Sequence, residues 1–444
     1  MKFKRIAVIS MTALICAAGP AFAGDNNAAF VDQIGSFNNA SITQGQTASG
    51  NAANLAGAAT AAIRQEGDGN DLNVTQLSTG AGANRIGTGG NQAGQGVDQL
   101  GVGNVLTIDQ NGRALDVFDV QQQGGTNLTG TGNSVVINQS GNGQTVSNIS
   151  QNFQGADSDA PNTITVDQTG TNNLVGNTSS GPRGDGSGLN QTGFGNLIDI
   201  DQQSGGNPSN NVRRVDQFNT GATGTNALTV MQSVEKNRVT LARQTATSAG
   251  SNIATITQSS FAAADPRNDV VELTQNNTGA VDNTANITQD GADNTVTLLR
   301  QDGAGNVADV LQDGDFNDVI LTQDGDDNAT NVEITGNSNS VNIGIVGDGN
   351  GNALNGFSHP DTLAIVGPNS LSTGDVIVTG DMNSVAYSIL GNLNAFAFGQ
   401  LGNDNLITGS TTGDENEVAV FQSGNGNTAD FTQNGNNNVI AINQ

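Results

Sequence analysis

Acidic residues in short turns are the groups in this sequence whose type and spacing could bind a ligand. Asp313-Gly314-Asp315 and Asp324-Gly325-Asp326-Asp327 place carboxylates at the close spacing that suits hard cations such as calcium. The paired glycines of the calcium-binding nonapeptide are not present, so turn geometry and solubility are the simpler interpretation. Stacked like charges in such turns would also slow self-association at neutral pH.

The other reactive side chains lack partners. His359 is the only histidine, and a lone imidazole without a cysteine partner cannot form a transition-metal site. Ser, Thr and Asp are abundant, but without a second histidine there is no recognisable pair of nucleophile and base. Arg183-Gly184-Asp185 spells an integrin-binding tripeptide within an ordinary Gly, Ser and Pro loop. We therefore expect no enzyme, no cofactor and no metal site.

The composition indicates what kind of fold must position these polar residues. Of the 444 residues only 12% are charged and 4% are aromatic, and tryptophan is absent, which is too little for a conventional core of this size. Disorder is disfavoured because charge is sparse while Val, Ile and Thr recur at short intervals. Internal repetition is the remaining explanation.

The repeat is Asn-x-φ-x-φ-x-Gln-x-Gly, where φ is apolar. Of the 33 Gln residues, 19 have Asn six positions earlier, against about 4.5 expected by chance. Asn104, Leu106, Ile108 and Gln110 fall on one face of the unit, which is the alternation of a half-buried strand. Turns rich in Gly, Asp and Asn follow each strand. In the C-terminal part the asparagines recur every 11 residues, at Asn383, Asn394, Asn405, Asn416, Asn427 and Asn438.

Two units predict one coil of about 22 residues, and stacked coils predict an all-β solenoid of strand-turn-strand coils with 11-residue half-repeats. Its interior would hold two apolar layers bounded by ladders of identical amides, because an amide both donates and accepts and can bond its copies above and below. We predict that the structural ladder is formed by Asn104, Gln110, Asn133, Gln139, Asn162, Gln168, Asn306, Gln312, Asn317, Gln323, Asn416, Gln422, Asn427, Gln433, Asn438 and Gln444.

Residues 1–23 read as a secretory signal peptide, with a basic start, an apolar stretch from Ile6 to Ala18 and a small-x-small site at Ala21-Phe22-Ala23. The only cysteine, Cys16, lies within it, and cleavage would take the formal charge from −27 to −30 because three basic and no acidic residues are lost. Such a charge disfavours nucleic acid, and no later stretch is apolar enough to span a membrane. Residues 24–444 would form the solenoid, with irregular loops near 47–62, 80–96, 177–188, 261–267 and 351–360.

The Asn-x5-Gln unit, with five residues from Gln to the next Asn and Gly two after Gln, resembles the curlin repeat. The resemblance implies a subunit secreted to the extracellular surface of a Gram-negative bacterium, where it polymerises with copies of itself into curli-like amyloid fibres for cell adhesion and biofilm formation. It also implies outer-membrane secretion and nucleation partners of the curli type. This chain differs in that both strands mostly open with Asn rather than Ser, it is longer than usual, and Phe rather than Tyr is its main aromatic residue. Its units begin at Asn27, which leaves no separate N-terminal secretion segment.

Repeat units at both ends, from Asn27 and up to Gln444, predict a solenoid without caps that grows by templated strand addition. A monomeric surface adhesin or stalk built on the same solenoid is the alternative. A calcium-binding solenoid and a polysaccharide-active β-helix enzyme are further alternatives, although such enzymes need longer, irregular coils. Outward threonine pairs such as Thr163 with Thr165 resemble ice-binding solenoids but do not persist from coil to coil.

Overall fold

The structure is a computed structural model that describes residues 27–46, 54–57, 62–87, 96–125, 132–154, 159–176, 188–204, 210–221, 223–234, 236–260 and 267–444. Short strands make up most of these residues. The strands are β1 (Ala28–Ala29), β2 (Val31–Ile34), β3 (Asn39–Gln46), β4 (Leu55–Ala56), β5 (Ile63–Glu66), β6 (Asp71–Ser78), β7 (Arg85–Ile86), β8 (Val97–Leu100), β9 (Val105–Arg113), β10 (Asp116–Val117), β11 (Val120–Gln123), β12 (Ser134–Asn142), β13 (Thr145–Val146), β14 (Ile149–Phe153), β15 (Thr163–Thr171), β16 (Leu174–Val175), β17 (Gly188–Gly193), β18 (Asn196–Ser204), β19 (Asn211–Val212), β20 (Arg214–Asn219), β21 (Asn226–Val234), β22 (Arg238–Ala246), β23 (Asn252–Ser260), β24 (Asp269–Asn277), β25 (Asn283–Asp290), β26 (Thr295–Asp302), β27 (Val307–Asp313), β28 (Asp318–Asp324), β29 (Ala329–Thr335), β30 (Ser340–Val346), β31 (Asp375–Thr379), β32 (Ser384–Leu390), β33 (Ala395–Leu401), β34 (Leu406–Thr412), β35 (Glu417–Ser423), β36 (Thr428–Asn434) and β37 (Val439–Asn443).

These strands form two long parallel sheets. Sheet B has fifteen strands, in the order β3-β6-β9-β12-β15-β18-β21-β23-β25-β27-β29-β31-β33-β35-β37, and sheet A contains the other 22. Each coil contributes to both sheets and pairs in parallel with the coils before and after it, as in β12, which pairs with β9 and β15. The predicted all-β solenoid is confirmed.

Alternation along each strand builds the core. In β15 the side chains of Ile164, Val166 and Gln168 are buried, while Thr165 and Asp167 between them are partly exposed. Two apolar residues per sheet B strand therefore face the interior, and they form one continuous hydrophobic cluster along the solenoid. The buried amides lie at the ends of these apolar pairs.

Coil length changes along the chain. Equivalent glutamines of sheet B lie 26 to 34 residues apart from Gln44 to Gln289. The step is then 23 residues to Gln312, and it is 22 residues from Gln400 to Gln444. The predicted 22-residue coil thus describes the C-terminal part, whereas earlier coils are longer. In most of these coils sheet A is crossed by two short strands, such as β10 and β11, which give way to single strands from β22 on.

One insertion interrupts the regular coils. Asn350 and Asn394, equivalent positions in adjacent coils, are 44 residues apart. The additional residues include a 3₁₀ helix (Ala353–Asn355) and the helix α1 (Pro360–Val366), which lies on the outer face of β35 and β37. Ile365 and Val366 pack with Leu371 against Ala397 and Ala419 of sheet B. The insertion thus covers the outside of the last coils.

The other predicted irregular loops fall largely outside the described residues. Residues 47–53, 58–61, 88–95, 177–187 and 261–266 belong to this group, as does the predicted signal peptide 1–23. Those domain boundaries stay predictions.

Candidate functional site

Inward-facing glutamines form a hydrogen-bonded ladder inside sheet A, and they are buried in every coil after the first. Gln33 Nε2 donates to Gln65 Oε1 at 2.6 Å, and Gln65 donates in turn to Gln99 at 2.8 Å. The same donor-to-acceptor step continues without a break through Gln122, Gln151, Gln191, Gln217, Gln244, Gln275, Gln301 and Gln323. Every one of these bonds points from the earlier coil to the later coil.

A second glutamine ladder runs through sheet B in the same direction. It passes from Gln44 through Gln76, Gln110, Gln139, Gln168, Gln202, Gln232, Gln258 and Gln289 to Gln312, and a further piece joins Gln400, Gln422 and Gln444. Each Nε2 has two hydrogens: Gln422, for example, donates one to Leu406 O within its coil and one to Gln444 Oε1 in the next coil. Between the end coils these amides are buried, so both bonds offset their desolvation.

Asparagine ladders stand at the corners of the coils and point the other way. Asn416 Nδ2 donates to Asn394 Oδ1 of the earlier coil at 3.0 Å, and the backbone N–H of Asn416 donates to the same oxygen. This backbone donor fixes which amide atom is the acceptor. The predicted residues Asn104, Asn133, Asn162, Asn306, Asn416 and Asn438 lie in the ladder before sheet B, and Asn317 and Asn427 lie in the ladder before sheet A.

Both glutamine ladders are interrupted in the same coils. Ile334 and Val378 take the glutamine position in sheet B, and Ile345 and Ile389 take it in sheet A. Thr411 follows Ile389 in sheet A, and its hydroxyl lies 2.7 Å from the Tyr387 hydroxyl and donates to Gln433 Oε1. The asparagine ladders continue through these coils, so the corners stay in register where the glutamines are missing.

Glycines close the corners because a later coil approaches them closely. A Cβ atom on Gly402, which has a φ of +118°, would lie 2.1 Å from the carbonyl oxygen of Gly424 in the next coil. A side chain at this position would therefore force two coils apart. Where a Gly stands two residues after a ladder Gln, as at Gly402, it permits this close approach of the next coil.

Acidic and amide side chains next to these glycines form a third set of contacts. Asp315 Oδ1 accepts a hydrogen bond from Ala292 N, and the backbone N–H of Asp315 donates to Asn337 Oδ1. The step repeats from Asp381 N to Asn403 Oδ1 at one corner and from Asp326 N to Asp348 Oδ1 at the other. The Asp residues of the turns therefore bond adjacent coils, and no three or more His, Cys, Asp or Glu of the described ranges are placed to hold a metal ion.

Two carboxyl groups illustrate opposite electrostatic effects. Burial, together with the charges of Asp167 and Asp201, raises the pKa of Asp199 on the outer face of sheet B. Partial burial alone would raise the pKa of Glu417, but hydrogen bonds from Ser358, Thr362 and the backbone of His359 lower it below its usual value. Glu417 thus holds the inserted segment to β35 as a carboxylate.

The other residues singled out in the sequence have structural positions or lie outside the described residues. His359 is the N-cap of α1, where its Nδ1 accepts a hydrogen bond from Asp361 N at 3.3 Å. Arg183-Gly184-Asp185 lies outside the described residues. Among the helices that the structure describes, none has the length and apolar character needed to cross a bilayer.

Sequence reasoning missed most of the sheet A ladder. Gln244, Gln275 and Gln301 have no Asn six positions earlier, because their ladder asparagines Asn237, Asn268 and Asn294 stand seven positions earlier. The extra residue is accommodated by a register shift, as between Val296 and Leu298. A search for Asn-x6-Gln alongside Asn-x5-Gln would have found these positions.

The first and last described coils have the same spacing. The first coil, residues 27–44, contains Asn27, Gln33, Asn38 and Gln44; the last coil, residues 427–444, contains Asn427, Gln433, Asn438 and Gln444. Their corner glycines, Gly35 and Gly435, have φ angles of +118° and +109°. The two ends of the described solenoid therefore present the same arrangement of ladder residues.

Stacked parallel coils with internal amide ladders define a β-solenoid repeat protein whose repeats serve structure. A family model described as the curlin associated repeat matches residues 291–325 and 413–444, both within the part of the chain where the step between stacked glutamines is 22 or 23 residues. The chain is thus a curlin-like repeat protein, and this family points to an extracellular, curli-related structural protein. No curated protein matches the chain.

Proposed function

We propose that the mature chain is the subunit of an extracellular curli-like amyloid fibre that grows when the first coil of one copy stacks on the last coil of another. The observation that carries the proposal is the identical spacing of the two end coils. With Gln33 placed on Gln433, Asn38 falls on Asn438 and Gln44 on Gln444 without any shift. The junction between the two copies is called the seam below.

Donors and acceptors at the two ends are complementary. In the last coil Gln444 Nε2 donates to Thr428 O within the coil, so its second hydrogen remains for a next coil, as in Gln422. In the first coil the Oε1 atoms of Gln33 and Gln44 have no donor among the described residues. The seam would therefore continue both glutamine ladders in their existing direction, whereas two like ends would oppose acceptor to acceptor or donor to donor.

The apolar layers are also open at both ends. Ile440 and Ile442 of the last coil, and Ala40 and Ile42 of the first coil, are only partly buried although they pack against the core. In the same register Ile442 meets Ile42. Burial of these side chains supports stacking at both ends, since removal of apolar surface from water is favourable.

Secretion across the outer membrane of a Gram-negative bacterium, cell adhesion and biofilm formation are part of the same proposal. Support comes from the repeat family and from the predicted signal peptide. Export and nucleation would involve partners of the curli type. Adhesion would be tested by deletion of the gene and measurement of surface attachment.

Assembly is tested by incubating the purified mature chain alone. We expect unbranched fibres in electron micrographs, a meridional spacing of about 4.8 Å in fibre diffraction and binding of amyloid dyes. A chain that stays monomeric and dye-negative at high concentration would contradict the proposal.

A point substitution tests the seam itself. Gly435→Ala adds a Cβ that has open space in the single chain, where the nearest atom is Asn438 Nδ2 at 3.4 Å. In the seam it would meet the carbonyl oxygen of Gly35, as a Cβ on Gly413 would meet Gly435 O at 2.3 Å. Gly435→Ala should leave a folded monomer and block elongation. Gly69→Ala is the matched control, since its φ is also positive, no atom lies within 4 Å of its Cβ, and it belongs to an inner coil.

A monomeric adhesin or stalk is the second candidate. The insertion favours it, because α1 lies against β35 and β37 and adds a non-repetitive element near one end. Sedimentation analysis separates the two functions, since the stalk stays monomeric at concentrations where the fibre subunit assembles.

A further inference from the structure

A cleft opens beside the last coils at the corner between sheet A and sheet B. It has a volume of about 450 Å³, and the inserted residues Asn355, Gly356, Ser358 and His359 form one wall. The other side consists of Leu393, Glu415 and Asn437, which occupy the same corner position in three successive coils. These three residues are called the corner column. Val439 of the last strand also lines the cleft, so the cleft reaches the end of the described solenoid.

Phe37 occupies the corner-column position in the first coil. It stands two residues after Gly35 and before Asn38, as Asn437 stands two after Gly435 and before Asn438. The backbone conformations agree, with φ of +59° at Phe37 and +57° at Asn437. Phe37 is 90% exposed in the single chain. An aromatic side chain with so much exposed surface and a strained backbone is costly unless it gains a contact elsewhere.

Side chains at this corner position, in the corner column and in earlier coils, reach back over the preceding coil. Leu393 Cδ2 lies 2.8 Å from where a Cβ on Gly349 would stand, and Asp327 Oδ1 lies 2.2 Å from where a Cβ on Gly305 would stand. In the seam the coil before Phe37 is the last coil of the preceding copy, which contributes Asn437. A Phe37 side chain with the same orientation would point toward the cleft.

We propose that the cleft between the inserted segment and the corner column is a docking site for Phe37 of the next copy. The proposal rests on the proposed head-to-tail stacking and adds to it a side-chain contact that the repeat itself does not supply. Val439 of the last coil provides the apolar contact surface for this ring, whereas Leu393 stands three coil steps from Phe37, about 14 Å at ~4.8 Å per coil, and lies beyond its reach. Glu415 and Glu417 also line the cleft, and their carboxylates favour the electropositive edge of an aromatic ring. Since the ladders alone are nearly identical in every coil, the Phe37 contact would select the end coil of the same protein over other repeat chains.

The contribution of Phe37 is measured by substitution against a matched residue. Phe316 also lies at a corner, with φ of +61° and 61% exposure, but it belongs to a coil in the middle of the chain. Phe37→Ala should raise the monomer concentration that remains at the end of assembly about tenfold or more, the effect of losing one buried aromatic side chain. Phe316→Ala should leave it unchanged, and Phe37→Leu should fall between the two. Glu415→Trp, which would fill the cleft from its exposed rim, should reproduce the effect of Phe37→Ala and add little to it in the double variant.

Cysteine pairs test the placement of Phe37. The predicted mature chain has no cysteine. Equivalent Cα atoms of stacked coils are about 4.8 Å apart, which is within the range that a disulfide spans. A mixture of Phe37→Cys and Asn437→Cys chains should form disulfide-linked dimers within fibres, and a mixture of Phe316→Cys with Asn437→Cys should not.

The outcomes separate the two proposals. If the wild-type chain does not assemble, the fibre function itself is wrong. If wild-type fibres form and Phe37→Ala assembles as well as Phe316→Ala, the docking of Phe37 is wrong and the fibre function stands. Fibres that form no Phe37 to Asn437 cross-link would also overturn the docking, because the copies then meet in another register.

Discussion

The glutamine ladders predict that the cost of losing one amide depends on how many neighbours it leaves without a partner. Gln168 stands within the sheet B ladder, where it accepts a hydrogen bond from Gln139 and donates one to Gln202. Gln312 stands where that ladder is interrupted: it accepts from Gln289, but the next position is Ile334. Both side chains are almost completely buried. Gln168→Ile and Gln312→Ile introduce the residue that the chain itself uses at this position.

The expected loss of folding free energy follows from the number of amide groups that lose their ladder partner. Gln168→Ile leaves both the Nε2 of Gln139 and the Oε1 of Gln202 without their ladder partner, at about 1 to 3 kcal/mol each, hence roughly 2 to 6 kcal/mol. Gln312→Ile removes only the ladder bond of Gln289, whose Nε2 also donates to Asp269 O and Asn294 O, so the cost is at most about 1 to 3 kcal/mol. Each variant also loses one bond to a backbone carbonyl, Thr145 O for Gln168 and Thr295 O for Gln312. This loss cancels in the comparison, so the first substitution should cost at least about twice as much as the second.

The assay is urea denaturation of the two variants at concentrations below assembly, followed by circular dichroism. Because coils of a solenoid open as neighbouring units, hydrogen exchange of peptides that cover β12, β15 and β18 locates the loss. In Gln168→Ile, exchange should accelerate in both the preceding and the following coil. In Gln312→Ile, it should accelerate only in the preceding coil. Equal costs for the two variants, or a cost for Gln168→Ile within experimental error, would refute the argument that the ladder bonds are coupled from coil to coil.

Two further predictions concern the corners and the insertion. Gly402→Ala and Gly424→Ala both place alanine at a strongly positive φ, which costs about 1 to 3 kcal/mol of backbone strain. Only the Cβ of Gly402→Ala also meets the next coil, so the melting temperature of this variant should fall clearly further. For Glu417, the pKa is lowered in the folded chain, so its stabilising contribution is present above the usual value of 4.5 and is lost as the pH falls through the folded pKa. Protection of residues 358–366 against hydrogen exchange should therefore decrease in acid. Glu417→Gln should lack this protection already at neutral pH, and the control Glu415→Gln should behave as wild type. Protection that does not depend on pH would contradict the role of Glu417.

The solenoid and its sheet B ladder follow from the sequence because strict alternation and a constant Asn-to-Gln spacing are local patterns. Gln110, Gln139 and Gln168 each lie six residues after an asparagine, and the structure places them one above another. Sheet A was harder to predict, because its strands contain bends and register shifts that alter the spacing without altering which residues face inward. Gln122 illustrates this: the residues six and seven positions before it are Asp116 and Leu115 rather than asparagine, yet it lies in the sheet A glutamine ladder.

Two features could not be read from local patterns. The helix α1 depends on contacts of Ile365 and Val366 with Ala397 and Ala419, residues that are distant in sequence. The role of the turn aspartates depends on the adjacent coil, because Asp315 Oδ1 can accept a hydrogen bond only where the backbone N–H of Ala292 in the preceding coil lies next to it. Such contacts arise from stacking and are not encoded within one repeat.

The opposite directions of the two kinds of ladder have an electrical consequence. In an α-helix, aligned peptide dipoles add up to about half a unit charge at each end. Here the glutamine amides point their N–H groups toward the C-terminal end, while the asparagine amides point theirs toward the N-terminal end. Their dipoles oppose one another along the axis, so the side-chain field does not accumulate as coils are added. A stack of any length would thus present nearly the same weak axial field to an incoming copy as a single coil does.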